Sequence, residues 1–578
     1  MHPCLQVPEL LDIIFRRVVE DPIFAPCTLA SLALTCRLFV EPALDVLWSH
    51  LPSLGPLVTL FPKDAWSYGM DDLGKRTYVM LQRPPEPHEW TRFLHYAERV
   101  RAIGPSLTFP EFPCVIKAFP SAHSYLLTHK PVDHLFPNLR YILWHYDHLF
   151  PEGSMDELSL LLGPRVVDLT TYAFKGMPES LSDRLVDEVT AFIVEHTDIK
   201  HVRLYCPYVP GLEAVIPNVV FLHQAVQSLE VLQETPSTLP PNIWLELSRL
   251  PKLEKTIIFV DELLGSDEIR KQSADSSEPF FPSLRNVTIH ASDLAGCSRY
   301  LDLIQSSSLE RLVVIVTSSP TNEEARTFFQ HLAKRRHKMP LRFMHFTSVI
   351  GSPRLDDNYI IDADTLRPLL SFWNVKSCQV TFRCPVSVDN AFLEDVATAW
   401  APTLEQLELG ASWRQRVDSQ ATLQGVFSLI TRCRELASLG LVFDARVDEF
   451  QEALGAGERL AKGYRPSDRL TRFSTGATTL GELDETDLAT LADVLSDLFP
   501  GMRTFETLWI RRVQHEPFQI DEDPDDEGEA DCWRQLMALY KEMSTIRLQE
   551  RLWKIQLDTQ VRVREVETLQ ASPSLVAF

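Results

Sequence analysis

The sequence predicts an α/β solenoid, with parallel strands on one face and helices on the other, headed by a small helical domain. Three observations predict it. An apolar frame of the form L-x-x-L-x-L returns at near-regular intervals from about residue 136. Stretches with helical period separate its copies. The first fifty residues carry three short amphipathic patterns instead, punctuated by Pro8, Pro22, Pro26, Pro42 and Pro52.

In the first of these patterns Leu10, Leu11, Ile14, Phe15 and Val18 make one apolar stripe. Pro8 followed by Glu9 suits a helix start, because the ring is tolerated in the first turn and the carboxylate complements the dipole. Thr28 is placed to cap a second helix carrying Leu29, Leu32, Ala33 and Cys36 on one face. Pro42 is expected to open a third, with Leu44, Leu47, Trp48 and Leu51 at helical spacing. Three helices this short cannot make a large core alone, so part of their apolar surface is expected to meet something else.

Here the residues resemble a known family. Val-Pro-Glu-Leu-Leu-(x)2-Ile-Phe at 7–15, Leu-Ala-Leu-Thr-Cys-Arg-Leu-Phe at 32–39 and Glu-Pro-Ala-Leu-Asp-Val-Leu-Trp at 41–48 resemble a fungal F-box. That family usually begins with Leu-Pro, and Val7 stands in the leucine's place. The segments Ser53–Leu57 and Glu89–Arg101 are similar to segments C-terminal to the motif in basidiomycete members. The resemblance implies that the helices dock on a Skp-type adaptor, which connects to a cullin scaffold. It implies that Pro8, Leu10, Ile14, Leu32, Phe39 and Trp48 lie in or beside the adaptor-binding surface.

The repeating frame reads Leu139/Ile142/Trp144, Ile199/Val202/Leu204, Leu253/Thr256/Ile258, Leu284/Val287/Ile289 and Leu309/Leu312/Val314. It continues as Leu341/Met344/Phe346, Val375/Cys378/Val380, Leu404/Leu407/Leu409 and Leu436/Leu439/Leu441. Val166/Leu169 and Leu229/Leu232 fill two gaps, and Leu470/Phe473 and Met502/Phe505 read as degenerate final copies. The copies lie 24 to 34 residues apart, overlapping and slightly exceeding the ~20–29 residues of leucine-rich repeats. The second and third residues of each copy are expected to point inward from a short parallel strand, while the first packs the turn entering it. Asp183–Glu195, Ile243–Arg249, Glu324–His331, Ala391–Trp400 and Leu423–Thr431 supply the helices between. Alternation at this interval gives a parallel sheet covered by helices on one side.

Residues alternating with the inward ones are expected on the concave side. They include Tyr141, His145, His201, Arg203, Tyr205, His290, Arg311, Phe343 and His345. Aromatic and guanidinium groups bury much surface per ordered side chain, so these are the candidate client-binding residues.

The chain carries none of the motifs that announce nucleotide binding, zinc proteolysis or a serine nucleophile elbow. Gly455-Ala456-Gly457 reads as a turn. Its ten cysteines form no C-x-x-C pair, so no zinc knuckle or redox site is expected, nor any other cofactor. A formal charge of −23 argues against nonspecific contact with nucleic acid or anionic membrane. No stretch reaches the ~18 apolar residues of a membrane span, and Met1 to Pro8 lack the form of a secretory signal. The acidic run Asp521–Gly528 departs from a calcium loop, having Asp526 where the glycine belongs, and reads as a linker. Lys334 to Lys338 reads as the basic end of a helix. Trp533, Leu536, Leu539 and Tyr540 begin a last amphipathic helix, expected to cap the open end of the repeats.

The expected organisation is a helical F-box-like domain at 1–52, a helical linker or cap at 53–135, and repeats at 136–515. An acidic linker at 516–532 and a C-terminal helix and tail at 533–578 complete it. The expected role is that of a non-enzymatic substrate receptor in a Skp–cullin–F-box ubiquitin ligase, cytoplasmic or nuclear, binding a client protein through its repeats. The alternative is a repeat scaffold outside ubiquitination.

Overall fold

A computed structural model describes the chain except residues 1–6, 19–24, 71–76, 105–116, 148–150, 174–176, 197, 207–208, 210, 233–240, 261–278, 351–356, 412–418, 446–466, 468, 481–482, 500, 511–524 and 572–578. Gly455–Gly457 and the first part of the acidic run therefore lie outside the described residues. The chain forms two compact units, Met1–Phe259 with Lys271–Leu284, and Val260–Arg270 with Arg285–Phe578. Both are α/β, each built on a run of parallel strands in chain order.

The first unit opens with three helices, α1 (Pro8–Val18), α2 (Ala25–Thr35) and α3 (Arg37–Ser49). Their shared core is small: Leu11, Phe15, Leu29, Ala43 and Val46, with Val18, Leu32, Ala33, Phe39 and Leu47 against it. Two helix starts differ from expectation. α2 begins three residues before Thr28, because Pro26 in its first turn needs no donor there. α3 begins after Cys36, whose extended backbone makes the break, and Pro42 sits inside it.

α3 runs directly into the strand His50–Leu51, which pairs in parallel with Ala102–Ile103. The sheet of this unit thus begins well before residue 136. It proceeds in order through Tyr141–His145, Asp168–Tyr172, His201–Tyr205, Ser228–Leu232 and Lys255–Val260. The region expected to be helical, 53–135, also holds a three-stranded sheet of Trp66–Met70, Thr77–Leu81 and Lys117–Ala118. Alternating backbone puts Ile103, Ile142, Leu169, Val202, Leu229 and Thr256 in one register line. From Ile142 onward these are the second residues of the repeating frame, and all six are buried.

One copy is shifted. Leu229 pairs with Val202 and Val231 with Leu204, so the copy is Val226/Leu229/Val231 and Leu232 faces outward beside Tyr205. The corrected anchor lies 27 residues from both Ile199 and Leu253, where Leu229 gave an uneven 30 and 24.

The second unit repeats the plan with the strands Asn286–Ala291, Arg311–Ser318, Phe343–Ile350, Ser377–Thr381, Gln406–Leu409, Ser438–Leu441, Arg472–Ser474 and Thr504–Glu506. Val287, Leu312, Met344, Cys378, Leu407, Leu439, Phe473 and Phe505 form its inward line. The helix Asn322–Lys334 ends at the basic run, where Arg335 donates to Asp302 at 2.8 Å.

The C-terminal helix spans Asp525–Ala571, so Asp525 to Cys532 are helical rather than linker. Carboxylates are favourable in a first helical turn, which is why an acidic composition misleads there. Glu529 accepts from the Leu480 amide at 2.7 Å. Trp533 and Tyr540 pack edge-on against Phe505, in the last strand, and the Trp533 indole donates to the Thr478 carbonyl. The helix covers the end of its unit.

Candidate interaction surfaces

The three-helix head splits its apolar residues between inside and outside. On α1 Leu11 and Phe15 enter the core, while Leu10 and Ile14 stand outside at 40% and 42% exposure, joined by Ile13 at 57%. α2 and α3 add Leu34 at 88% and Leu38 at 55%. The stripe read from the sequence is therefore two edges of one helix, one buried and one open. Ile13, Leu34 and Leu38 are not among the expected adaptor residues, although Leu34 and Leu38 stand within the motif at 32–39, because they lie off the stripe that defines the core. Three of the expected adaptor residues are half-buried: Phe39 packs edge-on against Phe15, Leu32 lies on the core, and Trp48 meets Tyr96 at 4.6 Å. Pro8 begins α1, and its side chain lies outside the described residues.

The head is tied closely to the rest of its unit. The Arg99 guanidinium, just after the helix Trp90–Ala97, donates to both Glu41 and Asp45 on α3. The Arg101 amide donates to the Ser49 carbonyl at 2.8 Å.

A second surface is the less buried face of the sheets, formed by the first, third and fifth residues of the longer strands. All nine residues expected on the concave side stand on it. In the first unit Arg203 reaches both carboxylate oxygens of Asp168 at 2.5 and 2.6 Å and Thr170 at 3.0 Å. Burial works against the Arg203 charge, but Asp168 more than restores it and holds the guanidinium above its ordinary value. Burial pushes His201 down, against the pull of Asp168. The Tyr205 phenol donates to Glu230, which also accepts from the Ser228 hydroxyl at 2.7 Å. Burial first, and Glu230 second, push the Tyr205 proton far above its usual range. His145, Tyr172 and Tyr205 stack ring on ring at 4.8 and 4.9 Å, while Tyr141 is exposed at the other end of its strand.

In the second unit the Arg311 guanidinium lies 4.4 Å from the centre of the Phe343 ring. His345 sits 3.0 Å from the Thr381 hydroxyl, and burial, aided by Arg311, lowers its pKa. Burial alone pushes His290 down to about 4.

The buried thiols of Cys206, Cys297, Cys378, Cys384 and Cys433 are pushed up to about 12 by burial, which keeps them from acting as nucleophiles. Among the described residues no cluster of His, Cys, Asp and Glu is arranged to hold a metal ion, and no helix is long and apolar enough to cross a membrane. Comparison of the chain with protein-family models and with curated proteins finds no match.

Proposed function

We propose that this chain is the substrate-receptor subunit of a Skp–cullin–F-box ubiquitin ligase, with a leucine-rich-repeat-type solenoid behind an F-box-like head. The observation that carries the reading is the set of exposed apolar side chains on the head: Leu10, Ile13, Ile14, Leu34 and Leu38 stand open beside a core that holds, among the described residues, five buried side chains. Exposed apolar side chains gathered on one small module mark a protein-binding surface. The less buried sheet face, with its aromatic and guanidinium side chains, supplies a second surface for a client. On this reading the chain performs no chemistry itself. It raises the local concentration of a client beside the transfer enzymes, in cytoplasm or nucleus.

Because α3 continues into the first strand of its unit, deleting the head would remove a sheet strand as well. Point variants are the cleaner test. The full chain is expected to retain a Skp-type adaptor in a pull-down, and Ile13→Asp with Leu34→Asp to abolish that retention without lowering the melting temperature. Retention unchanged by the double variant would refute the docking surface. Adaptor binding without ubiquitin transfer to any protein would leave a scaffold outside ubiquitination.

A further inference from the structure

The fifth residue of each strand in the first unit gives a row of different character from its neighbours. It runs His145, Tyr172, Tyr205 and Leu232 in register, and Phe259 stands on the same face of the next strand. All are partly exposed. The corresponding row of the second unit is His290, Ile315, Thr347 and Thr381, mostly small or polar. Five strands at ~4.8 Å spacing make a row of roughly 19 Å, the length of about six extended residues at ~3.3 Å each.

We propose that this row binds an uncharged, apolar segment of a partner protein, rich in aromatic or aliphatic side chains and lying in extended form across the strands. The charges on the face select that chemistry. They lie beside the row rather than in it: Asp168 is matched by Arg203, Glu230 is near Arg203 and takes hydrogen bonds from Tyr205 and Ser228, and Lys255 stands at the far end of its strand. The row itself holds no Asp, Glu, Lys or Arg, so a charged segment lying along it would lose water without gaining a counter-charge in the row, whereas an apolar one loses little. The stacking also withdraws the central ring from holding a cation on its face. Both faces of Tyr172 are covered, by His145 and Tyr205, so it presents an edge. Ring edges pack well against the face of an incoming aromatic ring. The identity of the partner as a client rests on the receptor reading; the place and chemistry of binding do not.

The test pans the immobilised full-length chain against a phage-displayed library of random twelve-residue peptides. Enriched sequences are expected to be apolar and nearly free of charge. Leu232→Asp is expected to cut their retention at least 10-fold, and Thr347→Asp, on the matching row of the second unit, to leave it unchanged. Tyr172→Ser serves in place of Leu232→Asp if the latter lowers the melting temperature. Enrichment of charged peptides, no enrichment at all, or retention indifferent to both row variants would overturn the inference. Adaptor pull-down with the same variants separates this failure from failure of the receptor reading: the row variants should bind adaptor normally.

Discussion

In the second unit five helices begin on side chains that accept from the first turn, Thr422 before Leu423–Arg432 being an exception. Asp293 accepts from Gly296, Asp362 from Thr365, Asp389 from Phe392 and Asp484 from Thr486 and Asp487, while Thr321 and Glu324 form a reciprocal capping box. In the first unit Cys36, Leu54, Glu89, Phe119, Pro178 and Ala214 stand at helix starts, and none supplies a side-chain cap. Prolines recur there instead, at 120, 151, 178 and 241. A cap hydrogen-bonds the folded helix, whereas a proline narrows the conformations of the unfolded chain. The same repeat is thus delimited through different states in its two halves.

Beneath that difference the inward line is common to both units, and breaking it should cost most. Leu169→Ala and Leu407→Ala remove fully buried side chains, and each is expected to lower stability by about 2–5 kcal/mol in chemical denaturation. Leu407 belongs near the top of that range. It lines a small void with Leu366, Leu369, Cys378, Phe392 and Trp400, and truncation would enlarge a space that is already there. A loss below about 1 kcal/mol at either site would separate the two lines.

Acid should distinguish the units next. His290 titrates near 4 in the folded chain against an ordinary 6.5. Between those values the unfolded chain binds a proton that the folded one refuses, so stability falls as pH drops from about 6.5 to about 4 and is level outside that window. The slope contributed is at most about 1.4 kcal/mol per pH unit. In the first unit His201 is lowered by burial and pulled back by Asp168, with Arg203, Lys255 and Lys200 adding smaller downward pushes. His290→Asn is therefore expected to flatten a plot of denaturation midpoint against pH more than His201→Asn does. Equal flattening would mean that Asp168 does not offset the burial of His201 and the cations around it.

How much of this was legible depended on how local each signal was. The inward line could be read because burial imposes a side-chain alternation within five residues, and the frame at Leu436/Leu439/Leu441 shows it plainly. Its one slip, at Leu229/Leu232, arose because two leucines fit the pattern better than Val226 and Val231. Only pairing with the neighbouring strand decides between such registers, and a slip turns side chains to the other face. That slip hid Leu232 from the outward row. Tyr172 and Phe259 went unnamed for a related reason: Thr171 in the third place of one copy and Thr256 in the second place of the other gave little reason to count outward positions. The strand His50–Leu51, at two residues, is too short to carry any alternation. Nothing local connects Arg99 with Glu41 and Asp45, which lie more than fifty residues away in the chain.

The smallest effects bear most directly on the contrast in helix starts. Asp389→Ala removes the acceptor that holds the Phe392 amide at 2.7 Å and is expected to cost about 1 kcal/mol, with Asp389→Ser recovering most of it. Pro178→Ala removes no side-chain cap, and the Pro178 carbonyl still accepts from Leu181 and Ser182 after the change. Its expected cost is about 0.4–1 kcal/mol, arising from the greater freedom of the unfolded chain. The two losses overlap in size, so rates separate them better than equilibrium values. A proline effect that lies in the unfolded state slows folding and leaves unfolding nearly unchanged. Loss of a cap made late in folding speeds unfolding instead. If Pro178→Ala accelerated unfolding as Asp389→Ala does, the proline would be acting on the folded helix, and the two units would share one way of starting helices after all.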